Sequence, residues 1–210
     1  AEVLSSPIVA RDLPLIAEAM PHVAHVAVRN RGTFGGSIAL ADPAAELPAC
    51  VVALGATLVV QSVDGQREIP ANDYFKGLYE TERHANELLV EACIPVEKSG
   101  TVSVFMELSR RHGDFAIAGL ACHARIKDNV VADAQLVYFA SEDKPTLGVR
   151  AMAAIVGKSW SDEVREVVIE ELDGDLNPMA NLHGSPAMKL HLQRVLTGRA
   201  LDTAIARSAA

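Results

Sequence analysis

The strongest constraint on how this chain folds lies in Thr57-Leu58-Val59-Val60-Gln61-Ser62-Val63, followed at once by Asp64-Gly65 and then Gln66-Arg67-Glu68-Ile69-Pro70. β-Branched residues dominate the first run, and such side chains fit a pleated surface. Asp-Gly between two such runs predicts a β-hairpin. Residues 87–94 read as another strand, ended by Pro95 and a polar loop through Gly100. Beyond that loop, residues 101–108, 116–126 and 130–139 read as three strands. Lys127-Asp128-Asn129 joins the last two, so the three form an antiparallel meander.

Helices flank these strands. The segment 12–20 predicts a short helix with Asp12 as N-cap and Pro14 in its first turn, and Leu13, Ile16, Ala17 and Met20 share one face. Asp42 is placed to cap a helical turn begun by Pro43, continued by the apolar run 49–54. After the meander, helices are predicted over 145–156 and over 162–172, the latter capped by Ser161. A third opens at Ser185-Pro186 and stops at Gly198. The result is an α+β chain that divides near residues 96–100 into units 1–98 and 99–210. The second unit carries a three-stranded antiparallel sheet with helices.

Chemistry concentrates in Arg29-Asn30-Arg31-Gly32-Thr33-Phe34-Gly35-Gly36-Ser37, with Glu46 nine residues beyond Ser37. Glycine permits positive φ and a close ligand approach, and successive free N–H groups can cradle an anion. Hydroxyls of Thr33 and Ser37 add donors, and Arg29 and Arg31 add charge. A plain turn explains the same residues. The pattern matches neither the G-x-G-x-x-G dinucleotide fingerprint nor a P-loop. Glu46 is placed either to accept hydrogen bonds from a ribose or to sit solvated at a helix start.

Other classes fall away. A net charge of −8 and a 4% aromatic content leave neither the basic patch nor the stacking platform of a nucleic-acid binder. No apolar run reaches the length of a membrane span, and residues 1–11 lack the features of a signal peptide. Cys50, Cys93 and Cys122 are far apart and form no C-x-x-C pair, which fits buried structural thiols in a reducing compartment. Three cysteines also cannot hold an iron–sulfur cluster on thiolates alone. The histidines form no H-E-x-x-H, and no G-x-S-x-G elbow is present. His112-Gly113-Asp114 fits either acid–base chemistry or a turn between strands, and the chain is expected to be soluble and cytoplasmic, with no metal ligands.

The block from Val28 through Ser37, continuing as Ala41-Asp-Pro-Ala-Ala-Glu-Leu-Pro48, resembles the FAD-binding medium subunit of the molybdenum hydroxylases, the family of carbon monoxide dehydrogenase and xanthine dehydrogenase. Further likeness lies in Asp73-Tyr-Phe-Lys-Gly77 with Thr81, in residues 87–95, and in Phe105 with Ser109-Arg-Arg-His-Gly-Asp-Phe-Ala116. It ends in Ser185-Pro-Ala-Met-Lys189 and residues 196–201. The resemblance implies the second lobe of a vanillyl-alcohol-oxidase (PCMH)-type FAD-binding domain, followed by the family's smaller C-terminal domain. It implies that Thr33, Gly35, Gly36 and Ser37 bind the FAD pyrophosphate, that Glu46 lies on the adenosine side, and that Leu89 meets the flavin by its main chain. Met106 stands where some members place a lysine near the flavin.

The family's further FAD lobe, with its Ala-Gly-Gly-x-Ser loop, has no counterpart before Arg29. FAD is therefore expected as cofactor of the intact subunit, and weakened or absent in this chain by itself. The implied function is electron relay from iron–sulfur clusters to an external acceptor. The implied partners are a molybdopterin-containing large subunit and a 2Fe-2S small subunit, assembled as a dimer of heterotrimers. The alternative is a flavin-free fragment that only docks subunits.

Overall fold

Proline placement and capping decide where the elements of the computed structural model, which describes residues 1–209, begin and end. Short helices α1 (Glu2–Ser5) and α2 (Pro7–Asp12) precede α3 (Pro14–Ala19). The helix expected over 12–20 is present, but Asp12 is not its cap. Asp12 ends α2 with its carboxylate on Arg11 (2.6 Å), and Leu13 breaks the chain at φ −137° because a residue before proline is driven out of helical geometry. Next come α4 (Val26–Arg29), α5 (Phe34–Leu40) and α6 (Glu46–Ala53). Pro43 starts no helix: Asp42 Oδ1 accepts from the Ala44 amide (2.9 Å) in a turn, and α6 begins at Glu46.

The hairpin is formed by β1 (Thr57–Ser62) and β2 (Gly65–Pro70). Ser62 pairs with Gly65, so Val63 and Asp64 occupy the turn while Gly65 closes it at φ 136°. Then α7 (Ala71–Tyr74), β3 (Phe75–Gly77) and β4 (Glu80–Thr81) lead to β5 (Leu88–Cys93). Strand β5 pairs antiparallel with β1 on the side away from β2, giving the order β2-β1-β5.

The second sheet holds four strands instead of the three expected. In order they are β6 (Thr101–Ser109), β7 (Ala116–Lys127), β8 (Val130–Phe139) and β9 (Thr146–Leu147). Two residues carry no periodic signal, which is why β9 was not foreseen and why α8 (Val149–Ile155) starts later than 145. Asp128 and Asn129, at φ 51° and 62°, make the two-residue turn between β7 and β8. Ser161 caps α9 (Asp162–Asp175) by accepting from the Val164 amide (3.3 Å), as its sequence predicts. Helix α10 (Pro186–Ser208) does not stop at Gly198. That buried glycine makes room for Arg165 of α9, whose Nη1 would lie 2.9 Å from a Cβ there.

Strand β7 is buried on both faces over most of residues 116–122, while Arg125 and Lys127 at its far end are exposed. Ala121, with Phe105, Val137 and Phe139, packs into the core shared with α3 and α6. Leu120, Cys122 and Ala124, with Leu136 and Tyr138, pack into the core shared with α8, α9 and α10. Gly119 is paired across the strands with Phe139, whose ring covers it. Helix α10 is tied to the end of β8 by a ladder of residues four apart. Lys189 Nζ donates to the Ala140 carbonyl (3.1 Å), Gln193 Nε2 donates to the Phe139 carbonyl (3.1 Å), and Thr197 Oγ1 shares a hydrogen bond with Tyr138 OH (2.9 Å). These groups are fully buried, so each bond offsets a desolvation cost of about 1–3 kcal/mol.

Polar contacts join the two units. Glu18 of α3 accepts from the Phe105 amide on the outer edge of β6 (3.0 Å) and pairs with Arg207 of α10 (2.5 Å). The Ala140 amide donates to the Pro43 carbonyl (2.8 Å). This second bond fixes the loop that leads into α6.

A Cβ at Gly119 would stand 2.1 Å from Phe139 Cζ. Gly119→Ala is therefore expected to destabilise the fold by about 1–3 kcal/mol through overpacking. Adding Phe139→Leu should recover part of that loss. Denaturant midpoints of the single and double variants check this, and no recovery in the double variant would refute the contact as the cause.

Candidate functional site

The glycine-rich segment is not a loop of left-handed residues. Thr33 is the N-cap of α5, and Gly35 and Gly36 lie in its first turn, neither with positive φ. The Gly36 amide donates to Thr33 Oγ1 (2.9 Å), and the Ser37 amide donates to the Thr33 carbonyl (3.2 Å). The amides of Phe34 and Gly35 have no partner among the described residues, as expected of first-turn donors.

The two glycines serve different ends. A Cβ at Gly36 would stand 2.7 Å from Thr33 Oγ1, so any side chain there displaces the cap. A Cβ at Gly35 meets nothing within 4 Å. Packing therefore does not demand glycine at position 35, and the position lies open to an approaching ligand.

Phe34 and Gly35 face β5 across a cavity of about 160 Å³, lined on the strand side by Leu89, Val90, Glu91 and Ala92. The first turn of α5 and Leu89, separate in sequence, thus meet at one place. Val59 pairs with Glu91 and Val60 with Leu89, which leaves Val90 as the extra residue of a β-bulge. Val90, Glu91 and Ala92 were not singled out from sequence. The one available sign was Leu88-Leu89-Val90, three apolar residues in a row that break strict alternation. The start of β5 is anchored by Glu87, whose carboxylate accepts from Arg67 at 2.6 and 2.8 Å and from the His84 amide at 2.7 Å. The Arg67 guanidinium holds that carboxyl down at about 2.

The arginines divide. Arg29 Nη1 donates to the carbonyls of Val23 (2.7 Å) and Ala24 (2.6 Å), so it clamps the preceding turn and is not free for an anion. Arg31 is exposed. Cys50 and Cys122 are buried, and burial pushes the Cys122 thiol up to about 12. Cys93, expected to be buried, is exposed on β5 and donates to Glu91 (3.3 Å).

Glu46 does not line the cavity. It opens α6 and is 6% exposed, so it is no solvated helix-start acid. Burial raises its carboxyl to about 7, and the nearby Glu107 and Asp42 add to the shift while His22 opposes it. His22 Nδ1 lies 3.3 Å from the buried Glu107 carboxylate, and that hydrogen bond raises the imidazole above its ordinary value. The ring also packs on Phe105 at 5.3 Å. Neither His22 nor Glu107 belongs to a recognisable motif. Among the described residues no cluster suits a metal ion, and no helix is long and apolar enough to cross a membrane.

The chain has known relatives. Residues 1–97 match the family described as the FAD binding domain in molybdopterin dehydrogenase, and residues 103–204 match the CO dehydrogenase flavoprotein C-terminal domain. The chain is 33% identical to the glyceraldehyde dehydrogenase medium chain of Sulfolobus acidocaldarius, over 95% of its own length and 70% of that protein's. It is 34% identical to the nicotine 6-hydroxylase medium subunit of Paenarthrobacter nicotinovorans, over 99% and 73% of the two lengths. The solved structure of carbon monoxide dehydrogenase from Hydrogenophaga pseudoflava superposes with a TM-score of 0.95 at 34% identity. That match covers 98% of this chain and 72% of the other.

Burial of Glu46 has a consequence for stability. Between 4.5 and about 7 its carboxyl holds a proton in the folded chain and loses it in the unfolded one. Folding therefore takes up a proton, and stability falls as pH rises through that window, by up to about 3 kcal/mol. Glu46→Gln, neutral throughout, should lack this slope, so its melting temperature relative to wild type should climb across the window. Parallel melting curves against pH for the two proteins would refute it.

Proposed function

The chain belongs to the FAD-binding medium-subunit family of the carbon monoxide dehydrogenase and xanthine dehydrogenase type of molybdenum hydroxylases, and from that we propose that it works as their electron relay. Electrons arrive from the 2Fe-2S clusters of a small subunit after a substrate is hydroxylated at the molybdenum centre of a large subunit, and they leave to an external acceptor. FAD, when bound, supplies the redox chemistry, and the protein supplies position and electrostatics. We place the subunit in a dimer of heterotrimers in the cytoplasm, a setting that its three unpaired cysteines suit.

The observation that carries this reading is the pair of unpartnered amides at Phe34 and Gly35, two residues that line a cavity opposite Leu89, Val90, Glu91 and Ala92 of β5. Two free donors at a helix start suit a pyrophosphate. Thr33 sets the helix entry, Gly36 keeps the cap hydroxyl in place, and Gly35 leaves the approach clear. Ser37 stands in the same turn and adds a hydroxyl. Leu89 offers its main chain to the flavin from the bulged strand. Glu46, which opens α6 with its carboxyl buried, lies on the adenosine side.

Gly35→Val should weaken FAD binding about tenfold or more, a loss of roughly 1.4 kcal/mol, with little change in melting temperature because its Cβ meets no protein atom. Gly36→Ala should lower both, since it displaces the Thr33 cap at about 1 kcal/mol. Titration of each protein with FAD, followed by flavin fluorescence, separates the two effects. Equal FAD affinity in wild type and Gly35→Val would remove α5 from the site, and no FAD binding by the wild-type chain would favour the flavin-free docking role.

A further inference from the structure

The second unit carries a groove that the electron-relay role does not use. It lies between α9 and α10, has a volume of about 370 Å³, and is lined by Arg165, His191, Arg194 and Arg199 over a floor of Ile169 and Val195. On α10 these residues recur at helical spacing, so His191, Arg194, Val195 and Arg199 form one stripe. The chain as a whole has a net charge of −8, yet three of its cations converge here.

Three guanidinium groups line the groove, and two carboxylates, Asp202 and Asp173, are paired with them. Gly198 interrupts the middle of a 23-residue helix, where glycine costs about 1 kcal/mol relative to alanine. Its missing side chain lets Arg165 lie across α10, with the guanidinium over Trp160 (5.4 Å to the ring centre) and paired with Asp202. Arg194 pairs with Asp173, and because its Nε is shut off from solvent, only the partly exposed end of its guanidinium can meet a ligand. Arg199 is exposed and takes part in no ion pair among the described residues, so like charges face one another with incomplete neutralisation.

We propose that the α9–α10 groove binds an organic phosphate. Arginine guanidinium groups suit phosphate oxygens in paired hydrogen bonds. The phosphate is held by Arg194, Arg199 and His191, and the organic part lies on Ile169 and Val195. The site is on the opposite unit from the α5 turn and does not depend on flavin.

Calorimetric titration of the full chain with phenyl phosphate, with inorganic phosphate, and with sodium chloride at matched ionic strength tests this. Phenyl phosphate should bind more tightly than inorganic phosphate, and chloride should not replace either. Arg194→Gln/Arg199→Gln should weaken phenyl phosphate about tenfold or more. Arg199→Gln alone, at an exposed residue, keeps the fold and should weaken it about threefold. Binding should survive both saturating FAD and Gly35→Val, which separates this site from the α5 turn. Unchanged affinity in the arginine variants, loss of binding under FAD, or full replacement by chloride would overturn the proposal.

Discussion

Burial of the first part of β7, over residues 116–122, on both faces is the constraint from which the rest of the structure follows. A strand with water on one side can alternate apolar and polar residues, whereas one covered twice has no side left for charge. Ala116, Ala118, Gly119, Ala121, Cys122 and Ala124 answer that demand with small side chains, which let helical layers approach from both directions. One layer contains α3 and α6, and thereby sets the position of Glu46 and of the loop leading into it. The other contains α8, α9 and α10, and thereby sets the width of the basic groove. A change in volume on this strand is felt at both sites, because a close-packed interior transmits strain.

The parts of the fold that were legible in the sequence are those whose cause is local. The Asp64-Gly65 hairpin, the Asp128-Asn129 turn, and the Ser161 and Ser185 caps each depend on residues within a few positions. What escaped depends on partners far along the chain. Gly198 reads as a helix stop until Arg165 of a different helix is seen to need its space. Strand β9 exists only because Val137 and Tyr138 offer it a ladder. Asp12 has the chemistry of a cap, but Arg11 takes its carboxylate first.

The site divides in the same way. Thr33, Gly35, Gly36 and Ser37 could be singled out because their composition is unusual, although sequence could not tell a left-handed turn from a helix start. The meeting of that turn with Leu89 is a tertiary fact, invisible without the β1–β5 pairing. Glu46 was noticed for its charge. Its burial, which no local pattern signals, is the main reason its proton is held so long; Glu107, from another element, adds to the effect and His22 opposes it. Arg29, whose charge beside the glycine turn suggests anion binding, is spent on the carbonyls of Val23 and Ala24.

The bulge at Val90 reaches further than the cavity it borders. Strand β5 lies at the edge of its sheet, with Leu88 and Val90 exposed, and a straight apolar edge invites another strand to add to it. An unpaired residue in the middle of that edge breaks the even spacing such an addition requires. The irregularity thus guards the sheet against self-association, and repairing the register by deleting Val90 would leave a straighter, stickier edge.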